Sequence, residues 1–337
     1  MDETSPADAL RRMTNAFWVS QAIYVAATLG IADLLEDGPK RADELANTTG
    51  THAPSLYRLL RALASVGIFI ETDGGRFGLT PLAEYLRADT PGSLRDAVIL
   101  SGQESLWRSW GHLLHSVRTG ESAFRKVYGM SSWEYWAGHP EEEAVFKAAM
   151  TSRSSGVVDA VVRSYDFSGI GVLLDVGGGE GALLAAILVA NPSLRGILFD
   201  QPHVVRTVGA LLERAGVADR CQVVGGSFFE AVPAGADAYL LKSVIHDWDD
   251  DAAIEILRAC RAAMDERGKL LVVERVIRSG NDSDPAKFSD LNMLVMTAGG
   301  KERTADNFEL LYTEAGFKLS NIIRTGSPYN IIEGTPL

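Results

Sequence analysis

The chain has 337 residues and a mass of 36.3 kDa, enough for one large or two ordinary domains. Its composition, 46% hydrophobic and 23% charged residues, is typical of a soluble globular protein. A formal net charge of −12 argues against general nucleic-acid binding, because an acidic surface repels a phosphate backbone.

Cysteine usage and hydropathy indicate the compartment. The two cysteines, Cys221 and Cys260, lack partner spacing, so we expect a reducing environment and no zinc site. The N-terminus is acidic and polar, unlike a signal peptide, and no apolar run reaches membrane-spanning length. These features predict a cytoplasmic protein without a membrane partner.

The first predicted element is a helix over residues 7–36, in which apolar residues recur at helical spacing. It carries more apolar side chains than one buried face needs. We therefore expect this helix to pack against a second copy of the chain in a homodimer.

Residues 40–86 predict helix, turn, helix and hairpin, the order of a winged helix. The helices are Ala42–Thr48 and Ser55–Val66, and a Thr-Asp-Gly-Gly turn follows within the hairpin. A winged helix that reads DNA normally has a basic face, but six Lys/Arg and six Asp/Glu lie between Pro39 and Thr90. The balance favours a dimerisation or scaffold role over DNA binding.

Further helices are predicted over 94–119 and 141–165, with an aromatic-rich connection between them. The aromatic rings either fill a junction or form the wall of a pocket for a flat substrate. The predicted domains are a helical, winged-helix dimerisation domain (1–100), a helical connection that lines a substrate pocket (101–168) and a cofactor-binding domain (169–337).

From Gly171 onward strands and helices alternate, which predicts an α/β domain with a parallel sheet covered by helices on both faces. A closing pair of strands, Lys318–Arg324 and Tyr329–Glu333, predicts an antiparallel end. The predicted strands before that pair are Val172–Asp175, Gly196–Asp200, Cys221–Val224, Ala238–Lys242 and Lys269–Glu274. Ligands bind such sheets at the carboxyl ends of the strands.

The first of these strands runs into a glycine turn, Leu173-Leu-Asp-Val-Gly-Gly-Gly-Glu-Gly. The turn satisfies the dinucleotide fingerprint, with Asp200 placed to hold a ribose, so a nicotinamide oxidoreductase is one interpretation. Asp175 and Glu180 favour a cationic cofactor instead, because carboxylates attract a methionine ammonium and repel a pyrophosphate. Gly225-Gly-Ser-Phe-Phe offers a polar residue and an aromatic edge to an adenine. S-adenosylmethionine is the favoured cofactor.

Six motifs together resemble the plant caffeate-type and bacterial natural-product O-methyltransferases that carry an N-terminal winged-helix dimerisation domain. They are LLDVGGGEG (173–181), FDQP (199–202), GGSFF (225–229), LLKSVIHDWDD (240–250), VVER (272–275) and GGKERT (299–304). The resemblance covers nearly the whole chain. It implies a Rossmann-like class I methyltransferase sheet, a homodimer, and transfer of a methyl group from S-adenosylmethionine to a small aromatic or polyketide-like metabolite in antibiotic or other secondary metabolism.

The resemblance also assigns cofactor contacts. It implies that Gly177 and Gly179 lie against the cofactor and Asp200 against its ribose. Ser227, where the family usually has aspartate, and Phe228 would border the adenine. The remaining cofactor positions are Asp175, Lys242 and Ser154, the last beside the methionine part.

On the acceptor side, His246 follows a strand at the cofactor edge of the sheet and is the candidate general base for a phenol proton. Glu274 and Glu302 follow elements that converge on the same edge, and the resemblance implies that they flank the base, with Asp247 assisting. It places acceptor-pocket residues at Met150, Asp290, Asn292, Met293, Met296 and Thr297.

Asp247 and Asp249–Asp251 also suggest a metal site, but carboxylates at a helix start cap free amides, so no metal is expected. Three other functions stay open. They are an S-adenosylmethionine enzyme with different chemistry (N- or C-methylation, decarboxylation or hydroxylation), a nicotinamide oxidoreductase, and a winged-helix regulator that binds a metabolite.

Overall fold

A computed structural model describes residues 5–337, apart from the side chains of residues 153–155. Ser154, a predicted cofactor contact, therefore lies outside the described side chains. The chain divides into two compact units, Met1–Arg108 with Trp136–Ser154 and Ser109–Tyr135 with Ser155–Leu337. The segment 101–168 contributes to both units, and the three-part division expected from the sequence stays a prediction.

The first unit begins with helix α1 (Pro6–Thr28), which the Ser5 hydroxyl caps by accepting the Asp8 amide at 3.1 Å. The predicted single helix over 7–36 is wrong beyond Thr28. Gly30 adopts a left-handed φ of 64° that ends the first helix, and a short helix α2 (Ile31–Leu34) follows.

The winged-helix order is present in the first unit. Strand β1 (Lys40–Arg41) pairs with β3 (Arg76–Leu79), and β3 pairs with β2 (Phe69–Thr72), all antiparallel. Apolar residues from the two longer helices and the hairpin form one core, which includes Leu56, Leu60 and Phe77. The elements are β1 (Lys40–Arg41), α3 (Ala42–Thr49), α4 (Ala53–Ser65), β2 (Phe69–Thr72) and β3 (Arg76–Leu79).

The predicted helix over 94–119 is three helices, because extended backbone at Gln103 (ψ 145°) and the Gly111–His112 step break it. In the aromatic connection, Tyr135 packs on Phe124 and Tyr128 within the second unit. The helices of this part of the chain are α5 (Pro81–Glu84), α6 (Arg95–Gly102), α7 (Glu104–Trp110), α8 (Leu113–Thr119), α9 (Ala123–Tyr128), α10 (Ser132–Gly138) and α11 (Pro140–Ser164).

The second unit alternates strands and helices, as predicted. Its elements are β4 (Val172–Val176), α12 (Ala182–Ala190), β5 (Arg195–Asp200), α13 (Gly209–Arg214), β6 (Cys221–Gly225), β7 (Ala238–Lys242), α14 (Asp250–Ala263), β8 (Lys269–Glu274), β9 (Val276–Ile277), α15 (Pro285–Met296), β10 (Arg303–Thr304), α16 (Ala305–Glu314), β11 (Phe317–Arg324) and β12 (Asn330–Pro336). Helix α15 is absent from the sequence-based prediction, although the Asp284-Pro285 pair that caps it is a helix-start signal.

Seven strands form the main sheet in the order β11-β12-β8-β7-β4-β5-β6. The five strands from β8 to β6 run parallel, and β12 and β11 are antiparallel, as predicted for the end of the sheet. Buried apolar clusters cover both faces. Strands β5 and β6 are added on one side of β4, and β7 and β8 on the other. The strand order therefore reverses at β4, and the crevice at its carboxyl end is the expected ligand site.

A second, two-stranded sheet lies beside the first. Val276 and Ile277 of β9 pair in parallel with Arg303 and Thr304 of β10. This pairing brings the two ends of the segment 278–302, which contains α15, close together. None of the described helices is both long and apolar enough to span a bilayer.

Candidate active site

The glycine turn lies where β4 ends and α12 begins. Gly177, Gly179 and Gly181 have φ values of 71°, 57° and 82°, which favour glycine. Asp175, the penultimate residue of β4, is buried beneath the turn, and a Cβ on Gly178 would lie 2.8 Å from its Oδ2. Burial raises the pKa of Asp175 to about 7, although the nearby Lys242 acts to lower it.

Gly177 packs closely against neighbouring side chains. A Cβ on Gly177 would lie 2.8 Å from Val244 Cγ2 and 3.8 Å from a ring carbon of Phe228, so only glycine fits at this point of the turn. Asp200 Oδ2 accepts the Gly179 amide at 2.8 Å and ties β5 to the turn. Carboxylate oxygens have further lone pairs, which suit the hydroxyls of a ribose. A glycine turn bordered by the carboxylates of Asp175 and Asp200 fits a cationic nucleoside cofactor better than a pyrophosphate.

His246 lies in a short 3₁₀ turn, Ile245–Asp247, that follows β7. Glu274, at the end of β8, is buried, and its Oε1 accepts the backbone amides of Val244 and His246, each at 3.1 Å. On the other side the Lys301 amide donates to the His246 carbonyl at 2.8 Å. Gly300 permits this approach, because a Cβ there would lie 2.6 Å from that carbonyl oxygen. The backbone of His246 is therefore fixed from both sides.

The imidazole of His246 is bracketed by carboxylates. Its Nδ1 lies 3.3 Å from Glu302 Oε1, and its Nε2 lies 3.6 Å from Asp247 Oδ1. Burial alone would lower the pKa of His246, but the carboxylates of Glu274, Asp247 and Glu302 outweigh it and raise the pKa to about 10. Burial acts to raise the pKa of Glu302, but its bond to His246 leads the interactions that hold this pKa below its usual value. The pair is an ion pair when the imidazole is protonated.

A second group of residues positions Glu302, whose side chain is fully buried. Ser289 of α15 donates its hydroxyl to Glu302 Oε1 at 2.6 Å, and Asp290 accepts the Glu302 amide at 3.0 Å. Arg275 lies 3.5 Å from the same carboxylate oxygen and donates to the Tyr329 hydroxyl at 3.0 Å. The orientation of the carboxylate beside the imidazole is thus set by α15 and by the segments after β8 and before β12.

Arg303 is almost completely buried beneath the same turn. Its guanidinium donates to the carbonyls of Ile245 and Trp248, both at 2.9 Å, and makes two bonds to Asp250 Oδ1 at 2.9 and 3.0 Å. A planar guanidinium satisfies several acceptors at once in a fixed geometry. Arg303 therefore holds the residues on both sides of His246.

The ligand atoms of His246, Glu274 and Glu302 lie within 4.8 Å of one another, so their residue types and spacing also suit a metal ion. Each carboxylate is already engaged, Glu274 by two amides and Glu302 by the imidazole, Ser289 and the Arg275 cation. Such a set favours holding a proton on the imidazole. The expectation that no metal binds stays a prediction.

The comparisons with known proteins agree with this geometry. Residues 110–318 match the profile of the O-methyltransferase domain, and residues 12–89 match the profile of the O-methyltransferase dimerisation domain. The chain belongs to the O-methyltransferase family. The resemblance found in the sequence, the class I methyltransferase fold and the dimerisation domain are thereby confirmed.

This O-methyltransferase is similar over nearly its whole length to characterised enzymes of bacterial natural-product biosynthesis. A phenazine O-methyltransferase of Lysobacter antibioticus is 50% identical over 328 residues, which cover 97% of this chain and 96% of that protein. The crystal structure of LaPhzM has a TM-score of 0.94 and 49% identity, and covers 99% of this chain and 100% of that one. The prediction of an enzyme that transfers a methyl group is confirmed.

A third relative bears on the cofactor of the O-methyltransferase. An O-methyltransferase from neocarzinostatin biosynthesis, solved with S-adenosylmethionine and 2-hydroxy-5-methyl naphthoic acid, has a TM-score of 0.82 and 37% identity, and covers 95% of this chain and 96% of that one. Another structural neighbour, from calicheamicin biosynthesis, contains S-adenosylhomocysteine. The methyl donor predicted from the sequence, S-adenosylmethionine, is confirmed for the family.

The structure of the O-methyltransferase brings most predicted site residues to the carboxyl edge of the sheet. Asp175, Gly177, Gly179, Asp200 and Phe228 surround the glycine turn, and Lys242 ends β7 beside Asp175. Ser227 follows β6, and its hydroxyl accepts the Phe229 amide at 3.3 Å. Met150 lies in the part of α11 that belongs to the first unit. The acceptor-side residues Asp290, Asn292, Met293 and Met296 lie on α15, with Thr297 next.

One contact differs from the sequence-based expectation, and one site residue is absent from it. Glu274 bonds the backbone of the His246 turn and not the ring, so Glu302 is the carboxylate that faces Nδ1. Arg303 was missed as a site residue, although it lies inside the GGKERT motif. Its position directly after Glu302 and just before helix α16 was the available signal that Arg303 belongs to the site.

Proposed function

We propose that the chain transfers a methyl group from S-adenosylmethionine to a hydroxyl, preferably phenolic, of a small aromatic metabolite, with His246 as general base. The observation that carries this proposal is the orientation of His246 by two buried carboxylates, one on its backbone and one on its ring. Glu302 accepts from Nδ1, which leaves Nε2 as the nitrogen that takes a proton.

The residues of the chain divide the chemistry between binding and proton transfer. Bound S-adenosylmethionine would supply a methyl group on a cationic sulfur, and the acceptor oxygen would attack the methyl carbon in line, with S-adenosylhomocysteine as the leaving group. The glycine turn and Asp200 hold the nucleoside, while Ser227, Phe228 and Lys242 border its base. His246 removes the phenol proton as the oxygen attacks, because a phenol with a pKa near 10 is a poor nucleophile while protonated.

Glu302 stabilises the imidazolium that forms, and Glu274 keeps the turn in place. Asp247, 3.6 Å from Nε2, orients the acceptor or assists the base. Asn292, Met293, Met296 and Thr297 line the acceptor site in this proposal, and Met150 keeps the acceptor role that the resemblance assigns to it. Placement of the oxygen in line with the methyl group is expected to supply most of the rate gain.

The decisive experiment is a methyl-transfer assay with S-adenosylmethionine against matched aromatic alcohols, amines and carbon acids. We expect transfer to the alcohols. Transfer only to amines or carbon acids would favour the alternative, a family member with different chemistry. Calorimetry with S-adenosylhomocysteine and NADH tests the cofactor, and preferential binding of NADH would contradict the proposal.

A pH profile tests the base. A base with a pKa near 10 is mostly protonated at neutral pH, so kcat/KM should rise about tenfold per pH unit up to about pH 10. Glu302→Gln removes a charge that stabilises the imidazolium, which lowers the pKa of His246 and moves the break to lower pH. An acceptor with a more acidic phenol serves as control, because a break that follows the phenol and ignores Glu302→Gln contradicts the assignment.

We also propose a homodimer formed through the dimerisation domain. Helix α1 exposes a row of large apolar side chains, including Leu10 (65% exposed), Met13 (74%) and Trp18 (62%). Patches of this kind on a soluble protein mark interaction surfaces. The double variant Met13→Glu, Trp18→Glu should sediment as a monomer at micromolar concentration, whereas Val189→Glu, at an exposed apolar position outside the domain, should not change the mass. An unchanged mass for the double variant would contradict this surface.

We also propose that the protein is located in the cytoplasm, as the sequence predicts. Cys221 and Cys260 are both free thiols, which is consistent with the cytoplasm expected from the sequence.

A further inference from the structure

Asn292 occupies a particular face of α15. Ser289, Asn292, Met293 and Met296 follow at spacings of three, four and seven residues, which place them on one side of a helix. Ser289 donates to Glu302, and Glu302 contacts His246. Asn292 is therefore about 4.5 Å further along the helix, on the side that supports the base.

The amide of Asn292 has a fixed orientation. The indole Nε1 of Trp110 lies 3.1 Å from Asn292 Oδ1. An indole N–H can only donate, so the oxygen of the amide must face Trp110 and the NH₂ group must face away. Within the part of the chain that the structure describes, no hydrogen bond uses that NH₂ group. A side chain that can normally both donate and accept is restricted to donating.

We propose that Asn292, held by Trp110, is a specificity residue that selects acceptors carrying a hydrogen-bond-accepting atom in addition to the reacting hydroxyl. Suitable atoms are a ring nitrogen, a ring carbonyl or a carboxylate oxygen on the same fused-ring system. This inference rests on the proposed function, since it concerns the acceptor of that same reaction. Trp110 is a positioning residue, because it acts through Asn292.

The flanking side chains agree with this role. Met293 and Met296, which follow Asn292 on the same side of α15, offer flexible apolar contacts that suit a flat ring but cannot orient it. A fixed donor at one end of these contacts distinguishes one edge of the ring from the other. Leaving a half-buried NH₂ group without an acceptor is costly, so an all-carbon analogue loses affinity as well as orientation.

A matched pair of acceptors tests the inference, namely a hydroxyphenazine and the hydroxyanthracene in which CH replaces both ring nitrogens. For the unaltered protein we expect kcat/KM to be about tenfold to a hundredfold higher for the phenazine, mainly through KM. Asn292→Leu, which keeps the volume and removes the donor, should bring the ratio close to one. Trp110→Phe should reduce it partially, because the freed amide can turn its oxygen toward the ring.

Binding provides a second readout that does not need turnover. The corresponding methoxyphenazine and methoxyanthracene cannot be methylated again, and their dissociation constants are measured by calorimetry without cofactor. Asn321→Leu, at an exposed position on β11, is the matched control and should keep the preference. A preference that survives Asn292→Leu in both readouts overturns the inference. If no phenol is methylated at all, the proposed function fails, while the binding preference still decides the role of Asn292.

A hydroxynaphthoquinone and a hydroxynaphthoic acid, each compared with the parent naphthol, distinguish the kinds of acceptor atom. Loss of the preference in Asn292→Leu for one of these pairs alone identifies that atom as the partner of the amide. Asn292→Asp replaces the donor by an anion, which repels the carboxylate of the hydroxynaphthoic acid. In this variant kcat/KM should be lower for the hydroxynaphthoic acid than for the parent naphthol. An unchanged order for Asn292→Asp contradicts direct contact.

Discussion

Replacing His246 by alanine should lower kcat by about two to four powers of ten, the usual contribution of general base catalysis. The imidazole is the group that the buried carboxylates orient, and a small aromatic hydroxyl needs its proton removed as it attacks. Affinity for S-adenosylhomocysteine should stay unchanged, because the glycine turn and Asp200 belong to other strands. Single-turnover methyl transfer and calorimetry measure the two quantities.

His52→Ala is the matched control, since His52 is an exposed histidine of the first unit. It should leave both quantities within error. Turnover by His246→Ala at the rate of the unaltered protein would remove this residue from the role of base. Loss of cofactor affinity in the same variant would indicate a folding defect, which His246→Gln distinguishes because it retains a polar side chain of similar size.

Replacing Arg303 by methionine should destabilise the protein by at least about 2 kcal/mol, because the carbonyls of Ile245 and Trp248 lose this donor at about 1–3 kcal/mol each. Asp250 is half exposed and keeps its ion pair with Lys301, so its carboxylate adds less. The guanidinium donates hydrogen bonds to the carbonyls of Ile245 and Trp248 and two more to Asp250. Methionine has no donor and can make none of these bonds. The midpoint of urea unfolding, followed by tryptophan fluorescence, measures the change. We expect turnover to fall as well, because the turn that carries His246 loses its support.

Arg267→Met, at an exposed position before β8, controls for the loss of a charge and should change stability by less than about 0.5 kcal/mol. Arg303→Lys keeps the charge without the planar fork, so it should lie between the two. It also preserves the test if Arg303→Met does not fold. A midpoint for Arg303→Met equal to that of the control would contradict a structural role for this arginine.

The sequence predicted the sheet well because its strands are short apolar runs between clear turn signals. The bounds of β7 and β8 agree with the prediction residue for residue, and the glycine turn lies where the motif placed it. Errors arose where helices meet without a strand between them. Apolar periodicity continues across Gly30 and across Gly111, so one long helix was predicted where the backbone breaks.

The site was predictable as a set of residues but not as a set of contacts. His246, Glu274 and Glu302 were assigned to one edge because parallel strands end there together. Which carboxylate reaches the ring depends on side-chain bonds between segments that are 28 and 56 residues apart, and no local pattern encodes them. The bond from Trp110 to Asn292 spans 182 residues and was beyond sequence reasoning for the same reason.

The short pairing of β9 with β10 has an evolutionary consequence. It joins the two ends of residues 278–302, so this excursion starts and finishes at one place beside the main sheet. In the proposed acceptor site, substitutions in its helix would therefore change the choice of metabolite while the strands of the main sheet keep their register. Helices α8 and α9 pack on α15, so exchange of this excursion between two family members would require their contacting residues to change with it.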